Sequence, residues 1–542
     1  MRDIQNDLPA ILPVSAPEEL ILKETLRCPT SDQVTKSYLC VPNMPKSSVT
    51  IDCNSRNIPT ISQAICLRDT AVDGSTASKQ YAEASNEFRQ GTKKNAQAAN
   101  DAMETKMEAE TRVYRSRYFM LFLFVTYSMS SAFQWIEFSI IANIVSRYYE
   151  VKEYDISWTA MTYMIFYIPL IVPANWILEK KGLRFAVLLG SFGTCAGSWV
   201  KCCSLFSNSF AVVMVGQSIV AASQVFILGI PSQLAGVWFG ATEVSRACAI
   251  GVFGNQLGIA LGFLLPPLIV PNSSNMDDIE HGLSILLYGI AAVTSAIFIS
   301  IVFFFKEKPP LPPSRAQAAI LNDDSRASYF ASIWKMLKNV HYMLLLVTYG
   351  INVGVFYAIS TFLNQMVLFY NKGAEESAGL MGLIIVLSGM VGSVVCGVIL
   401  DKTHKFKETT LVVYILSFLG MVSFAVALPF GLLLPLFFVS ALLGFFMTGY
   451  LPLGFEFAAE ITYPEAESIS SGLLNMSAQV FGIVFTAGSG ALLDQYGDKA
   501  SNISLCVCLL IGAILTAFIK SDLRRLKASQ MPDTHESMLN SI

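Results

Sequence analysis

Charged residues are scarce in this chain: they make up 14% of its 542 residues, whereas 53% are hydrophobic. An ordinary soluble domain is roughly 25% charged, and compact domains of this length cannot bury so much apolar surface. The composition therefore excludes a soluble globular protein and favours a chain whose apolar side chains face lipid. A net charge of −3 gives no reason to expect a nucleic-acid partner.

The chain also lacks the motifs of common enzymes. It contains no Walker-type phosphate loop, no HExxH zinc-protease sequence and no convincing nucleophile elbow. Its 11 cysteines and 4 histidines show no metal-ligand spacing, and the first 30 residues do not resemble a cleavable signal peptide. We therefore predict a protein that is not an enzyme and that binds no cofactor or metal.

Twelve apolar runs, separated by polar breaks, dominate the sequence after residue 117. Stretches of about 20 apolar residues are long enough to cross a bilayer as helices, so each run predicts one transmembrane span. The predicted spans are 118–145, 158–179, 184–204, 209–237, 246–270, 283–305, 341–369, 377–400, 409–430, 433–458, 467–492 and 501–519.

The polar segments divide the chain into five parts. Residues 1–117, which hold 30 of the 77 charged residues, are predicted to be a cytosolic and largely disordered tail. Residues 118–305 and 341–520 are predicted to form two six-helix bundles, joined by a proline-rich cytosolic linker at 306–340 and followed by a cytosolic tail at 521–542. With both termini inside, the inward breaks carry 17 of the 22 Lys and Arg residues after residue 117, as the positive-inside rule requires.

Internal repetition supports two related halves. The loops NWILEKKGLRFAV, between spans two and three, and GVILDKTHKFKETTL, between spans eight and nine, each place an acid at a helix end followed by basic residues. We predict an all-α membrane fold of twelve helices in two pseudo-symmetric six-helix bundles, with the substrate site between them at mid-membrane. We interpret the loops as gating latches or, alternatively, as simple topology signals; the residues concerned are Glu179, Lys180, Arg184, Asp401 and Lys402.

Polar residues inside the predicted spans are the site candidates, because an amide or a carboxylate in hydrocarbon is costly unless it faces a partner or a wet cavity. They are Gln134, Trp135, Glu137, Gln224, Asn255, Gln256, Asn352, Tyr357, Asn364, Gln365, Glu456, Asn475 and Gln479. The set is rich in aromatic rings and neutral amides and contains no buried Lys or Arg, because Lys201, near the end of the predicted span 184–204, is counted with the outward side. Such a cavity suits a sugar or an organic cation held over aromatic faces, rather than an anion that would need arginine.

Several candidates have plainer explanations that the sequence leaves open. Trp135 also suits an anchor at the membrane interface, and Asn255 or Gln256 suits a hydrogen bond between helices. Glu137 suits an acid at the outer mouth without a role, an attractive charge for a cationic substrate, or a proton-coupling group.

Four long segments match the pattern of one known family. They are AFQWIEFSIIAN, SQVFILGIPSQLAGVWFG, FYAISTFLNQM and GFFMTGYLPLGFEFAAEITYPEAESISSGLLNMSAQVFG. In these and other segments, from about residue 118 to 527, the chain resembles the feline leukaemia virus subgroup C receptor family. The resemblance implies a major facilitator fold and facilitative transport of choline, and of ethanolamine in some members, with haem export or import as the alternative. It also implies that Trp135, Gln224, Tyr357 and Gln479 bind the substrate.

Two positions depart from the family pattern: Glu137 stands where vertebrate members usually have Gln, and Glu179 stands where Asp is usual. The residues favour choline over haem, because haem iron usually takes an axial His, Cys, Met or Tyr. The four histidines lie at or beyond the ends of the predicted spans; they are His281, His341, His404 and His535.

The location and modification of the protein are also predicted from the sequence. We expect a monomer in the plasma membrane with both termini cytosolic; an organelle membrane is the alternative. Two sequons, at Asn272 and Asn502, fall in predicted outward breaks and are expected to be glycosylated.

Overall fold

The computed structural model describes residues 37–38, 50–52, 60–62 and 112–524, apart from residues 208, 241–242, 314–328, 466 and 522. Most of the predicted N-terminal tail, including its predicted disorder, lies outside the described residues, as do the middle of the linker and most of the C-terminal tail. Within the N-terminal segment, β1 (Ser37–Tyr38), β2 (Thr50–Asp52) and β3 (Thr60–Ser62) form an antiparallel sheet in the order β1-β2-β3.

The rest of the described chain is helical. The α-helices are α1 (Ser116–Ile136), α2 (Ala142–Tyr149), α3 (Glu153–Lys181), α4 (Leu183–Ser207), α5 (Phe210–Trp238), α6 (Val244–Ile269), α7 (Met276–Phe304), α8 (Tyr329–Leu337), α9 (Val340–Tyr370), α10 (Glu375–Thr403), α11 (Phe406–Ala427), α12 (Leu433–Thr462), α13 (Glu467–Tyr496) and α14 (Asp498–Ala517). Short 3-10 helices cover Ser139–Ile141 and Leu428–Phe430. Twelve of the described helical segments are long and apolar enough to cross a membrane, which confirms the predicted number of spans.

The first span is broken near its middle. α1 ends at Ile136, and the 3-10 helix and α2 continue the span to Tyr149. Of an 18-residue apolar stretch in this span and in the seventh, α9, 72% is buried, against 28–44% of the same length in the other ten spans. The first helix of each half therefore lies in the interior of the fold, where the sequence predicts the substrate site.

Each half packs as a bundle, and the bundles meet at two related contacts. In the first bundle α1 packs along α6 and α5 packs along both α3 and α4; in the second, α9 packs along α13 and α12 packs along both α10 and α11. The bundles meet where α3 packs on α13 and where α6 packs on α10. Spans two and eleven correspond to spans eight and five of the opposite halves, so the two contacts are equivalent under a pseudo-two-fold axis.

The sixth span begins about two turns earlier than predicted, at Met276 instead of residue 283. The Asn275 side chain accepts a hydrogen bond from the Asp277 N–H at 3.2 Å, and Asp277 and Asp278 lie in the first turn. Acids stabilise the N-terminal turn of a helix through its dipole. A search for apolar runs misses a polar first turn of this kind.

The described ends of the linker are tied to both bundles. The Glu307 carboxylate accepts the backbone N–H groups of Leu183 and Arg184, both at 2.7 Å, at the start of α4. At the other end, Lys335 on α8 donates to Glu465 at 2.6 Å.

Candidate functional site

A cavity of about 60 Å³ lies between the two bundles. It is lined by Trp135, Tyr163, Met164, Tyr167, Ala221, Gln224, Val225, Leu228, Asn255, Ile259, Tyr357 and Gln479. The structure thus brings together all four residues that the family resemblance assigns to the substrate. Each of the four lies near the middle of its span, so the cavity is at mid-membrane depth.

Two aromatic rings and an amide form one wall of this cavity. The ring centroids of Trp135 and Tyr357 are 5.4 Å apart, with an angle of 69° between the planes. Edge-to-face contact at this distance is a favourable aromatic geometry. The Gln479 Nε2 donates to the Tyr357 hydroxyl at 3.4 Å. Because the rings touch, a cation does not fit between them here and would lie beside them.

Three lining residues on α3, which are two tyrosines and a methionine, are not among the residues predicted from the sequence. Tyr163 and Tyr167 are four residues apart and therefore lie on one face of α3, with Met164 beside them. The spacing of the two tyrosines in the sequence YMIFY, four residues apart, indicates a shared helix face and could have predicted both as lining residues.

Of the other candidate site residues, only some lie at the cavity. Asn255 lines the cavity and donates to the Ser128 hydroxyl at 3.2 Å, so it also joins α6 to α1. Gln256 and Asn475 are half-buried, and Glu456 is exposed. None of these last three lines the cavity.

For the remaining geometry we name the two ends of the bundle. The terminal face is the end at which α1 begins and α14 ends, and the opposite face is the end at which α2 ends and α3 begins. Under the positive-inside prediction the terminal face is cytosolic.

Asn364 and Gln365 lie towards the opposite face and hold the two bundles together. The Asn364 Nδ2 donates to the carbonyl of Ile140 at 2.6 Å, and the Gln365 Nε2 donates to the carbonyl of Glu153 at 3.2 Å. Their position corrects the expectation that they belong to the substrate cavity. The orientation of α9 turns them towards the backbone of the first bundle.

Glu375, at the start of α10, was not among the predicted site residues, yet its carboxylate accepts hydrogen bonds from two amides of the first bundle. Its buried carboxylate, 7% exposed, accepts from Asn143 at 3.0 Å and from Asn272 at 2.6 Å. Arg147 donates to the Asn272 side chain. We call the contacts of Asn143 and Asn272 with Glu375, together with those of Asn364 and Gln365, the opposite-face gate.

Close helix packing continues the opposite-face gate towards the cavity. A Cβ atom at Gly379 on α10 would lie 2.6 Å from the carbonyl oxygen of Phe263 on α6. A Cβ atom at Gly490 on α13 would lie 2.6 Å from the ring of Tyr154 and 2.7 Å from that of Phe362. The opposite face is therefore closed in this state by main-chain proximity as well as by hydrogen bonds.

Replacing Glu375 with alanine is expected to open the gate. It removes the acceptor of two amide donors, and hydrogen bonds to a charged group contribute about 1.5–3 kcal/mol each, so the closed state should lose roughly tenfold or more in population. Electron-resonance distances between labels at Met276 and Tyr496, both exposed ends of helices at the opposite face, should lengthen in a cysteine-free background. Glu376→Ala, at an exposed neighbour, should leave the distances unchanged; equal behaviour of the two variants would remove Glu375 from the gate.

Glu137 is neither at an outer mouth nor in the cavity lining. Its side chain forms an ion pair with Lys201, and both are fully buried at 0% exposure. Lys201 Nζ also donates to Gln217 at 3.2 Å and lies 5.5 Å from the centre of the Phe138 ring. Gln217 in turn donates to the carbonyl of Gln134 at 2.7 Å.

This pairing corrects two expectations. The placement of Lys201 on the outward side is wrong, because its side chain is fully buried inside the bundle, where it pairs with Glu137. The interpretation of Glu137 as an exposed acid or as an attractive charge for a cation is wrong as well, because an adjacent ammonium balances the carboxylate.

The predicted latch residues are at the terminal face. Lys180, Arg184 and Lys402 are exposed, and Arg184 donates to the carbonyl of Val302 at 3.2 Å, within the same bundle. The side chains of Glu179 and Asp401 lie outside the described part of the chain. The latch role of these loops therefore stays a prediction.

The two sequons differ in accessibility. Asn272 lies in the exposed loop between α6 and α7, where its amide takes part in the opposite-face gate. Asn502 lies in the first turns of α14 and is only 2% exposed. A glycan has no space at Asn502 in this fold, because the Asn502 side chain is buried.

Comparison with known proteins agrees with the fold and the resemblance. The model of the Major Facilitator Superfamily matches residues 122–486. The "Choline/ethanolamine transporter flvcr2a" of Danio rerio is 54% identical over 429 residues, covering 79% of this chain and 91% of that protein. The "Choline/ethanolamine transporter FLVCR2" of Homo sapiens is 52% identical over 422 residues, covering 77% of this chain and 80% of that protein.

Solved structures with far lower identity share the fold alone. A bacterial homologue of the lysosomal transporter Spinster, in an inward-facing and unoccupied conformation, aligns with a TM-score of 0.59 at 12% identity, over 76% of this chain and 99% of that one. A D-xylose–proton symporter aligns equally well, with a TM-score of 0.59 at 10% identity. The matches in sequence, however, confirm the resemblance: the chain belongs to the feline leukaemia virus subgroup C receptor family of transporters, within the Major Facilitator Superfamily.

Proposed function

We propose that this protein is a facilitative transporter of choline and ethanolamine that works by alternating access. The observation that carries the proposal is the meeting of Trp135, Gln224, Tyr357 and Gln479 around one mid-membrane cavity between the two bundles. The printed names of the relatives, which are choline/ethanolamine transporters, support the same cargo.

The chemistry of the cavity suits both amines. A quaternary ammonium has no N–H to donate, so its charge is best held against the faces of Trp135 and Tyr357. The amide oxygens of Gln224 and Gln479 are acceptors for the hydroxyl of either cargo and for the N–H groups of ethanolamine. A neutral set of this kind binds the cation without the desolvation cost of a buried, unpaired carboxylate.

The size of the cavity favours a small amine over haem. Pockets for drug-sized ligands measure about 300–1,000 Å³, whereas this one measures about 60 Å³. In the part of the chain that the structure describes, no histidine lines it. A cavity of this size favours a small headgroup as cargo, because haem would require a much larger opening.

Alternating access follows from the asymmetry between the two faces. The opposite-face gate closes one side of the cavity. We infer that cargo leaves or enters through the terminal face in this state. Rocking of the bundles about the α3–α13 and α6–α10 contacts would open the other side.

Uptake of labelled choline and of labelled ethanolamine into cells that lack their own uptake tests the proposal. The chain should raise the initial rate for both compounds, and collapse of the pH gradient at constant membrane potential should leave the rate unchanged, as facilitated diffusion of a cation requires. Uptake equal to that of cells with an empty vector, with the protein present at the surface, would reject the proposal.

A further inference from the structure

Gly482 on α13 lies directly behind the wall of the mid-membrane cavity. It is buried, and its helix packs on both α9 of its own bundle and α3 of the other. Gln479, which lines the cavity, is three residues earlier and therefore lies on the same face of α13. A side chain at position 482 would reach the cavity wall from its outer side.

Because glycine has no Cβ atom, two lining residues can approach α13 closely at this point. A Cβ atom at Gly482 would lie 2.8 Å from Cδ2 of the Tyr357 ring and 2.8 Å from Sδ of Met164. Non-bonded carbon atoms in contact are normally about 3.5–4.0 Å apart. A methyl group at position 482 would therefore require the neighbouring side chains to move by roughly 1 Å.

A shift of the helix is a costly way to relieve this contact, because α13 is held against α9. A Cβ atom at Gly354 on α9 would lie 2.8 Å from the carbonyl carbon of Phe481, so the two helices already pack backbone to backbone. Further along α13, Ser477 Oγ donates to the carbonyl of Leu346 at 2.7 Å. Moving α13 away would loosen this packing and the hydrogen bond, so the side chains at the cavity are expected to give way first.

The Tyr357 ring is held between Gly482 and its partners in the cavity. Its centroid is 5.4 Å from that of the Trp135 ring, and its hydroxyl accepts from Gln479 Nε2 at 3.4 Å. Tyr357 and Met164 both line the cavity, so a displacement away from Gly482 moves them into the space that a cargo would occupy. In a cavity of about 60 Å³, such a displacement leaves less room for a bulky headgroup.

We propose that Gly482 is a positioning residue that sets the width of the cavity and thereby admits the trimethylammonium group of choline. This inference rests on the proposed transport of choline and ethanolamine. The ammonium group of ethanolamine carries no methyl groups, so it needs less space beside Tyr357 and Met164. Gly482 therefore determines how well choline is transported relative to ethanolamine, although it is not itself a residue that binds either amine.

The variant Gly482→Ala tests this inference in the full-length protein, through the initial rates of labelled choline and labelled ethanolamine uptake at low concentration. One surplus methylene group in a fitted pocket changes discrimination about ten- to two-hundredfold. Choline uptake should therefore fall about tenfold or more, whereas ethanolamine uptake should fall less than about threefold. The matched control is Gly488→Ala, at an exposed position of α13 where a Cβ atom has no neighbour within 4 Å among the described residues; it should change neither rate.

A second pair of variants keeps the test decisive if Gly482→Ala fails to accumulate. Met164→Ala makes room beside Gly482, and the double variant then keeps only the contact of the added methyl group with Tyr357. The ratio of choline to ethanolamine uptake should be lower in the double variant than in Met164→Ala alone.

Equal effects on the two amines in Gly482→Ala, or an equal ratio in the second pair, would overturn the inference. The substitution would then act on the stability of the fold or on helix movement, rather than on the width of the cavity. Failure of the proposed function gives a different result, because the unaltered protein would then transport neither amine.

Discussion

Replacing Lys201 with methionine is expected to destabilise the protein by about 3–5 kcal/mol, because the change leaves the Glu137 carboxylate buried without its counter-ion. Both side chains are fully inaccessible, so water cannot take the place of the lost partner. The Glu137 Oε2 already has no hydrogen-bond partner among the described residues, which leaves Lys201 as the main compensation. The single variant should therefore unfold at a much lower temperature or fail to accumulate.

The matched double variant separates this effect from a simple loss of packing. Glu137→Gln combined with Lys201→Met removes both charges and keeps side chains of similar length, and replacing a buried ion pair with neutral residues is often neutral or stabilising. The double variant should regain most of the thermal stability that Lys201→Met loses, as measured by thermal unfolding in detergent. A double variant as unstable as the single one would show that the charge pair is not what Lys201 contributes.

The position of this pair gives it a further consequence for the cavity. Glu137 directly follows α1, at the break in the first span, and Trp135 lies two residues before it. The pair fixes this break against α4, and Gln217 on α5 binds the carbonyl of Gln134 in the same network. A folded variant with a disturbed pair should therefore show a weakened apparent affinity for cargo, through movement of the Trp135 ring.

The architecture was predictable from the sequence, whereas many of the side-chain partners were not. Each span is predictable by itself, because a helix needs about 20 apolar residues to cross the hydrocarbon core. Twelve helices in two halves therefore follow from local composition. Lys201 shows the limit of this approach. One lysine near the end of an apolar run looks like a loop residue, and only the packing of α4 against α1 supplies the carboxylate that permits its burial.

In the cavity, too, some features were predictable from the sequence and others were not. The family resemblance assigns Trp135 and Tyr357 to one substrate, and the structure places their rings in contact. Asn364 was expected there too, but it is seven residues further along α9, about two helical turns. Gate residues and cavity residues are of the same types and differ in their position along the helix. A list of polar residues therefore does not tell the two groups apart.

Replacing Trp135 with alanine is expected to reduce the initial rate of choline uptake at low concentration by about ten- to thirtyfold. A desolvated cation held over an aromatic ring gains about 2 kcal/mol, and tenfold corresponds to about 1.4 kcal/mol. Trp135→Phe should retain an intermediate rate, because a smaller ring still offers a negative face and can still contact Tyr357. A matched control is Trp176→Ala, at an exposed position on α3 (57%), which should transport at the rate of the unaltered protein.

Comparison of the alanine and phenylalanine variants decides whether the ring face itself binds the ammonium. If both lose transport equally, with surface expression and thermal stability intact, the ring does not act through its face and Trp135 serves only to fill space beside Tyr357. If transport of both choline and ethanolamine falls in Trp135→Ala and is partly retained in Trp135→Phe, the two cargoes share the ring. A larger loss for choline than for ethanolamine in Trp135→Ala would further show that the amides carry more of the binding when the ammonium has N–H groups to donate, because Gln224 and Gln479 remain in place.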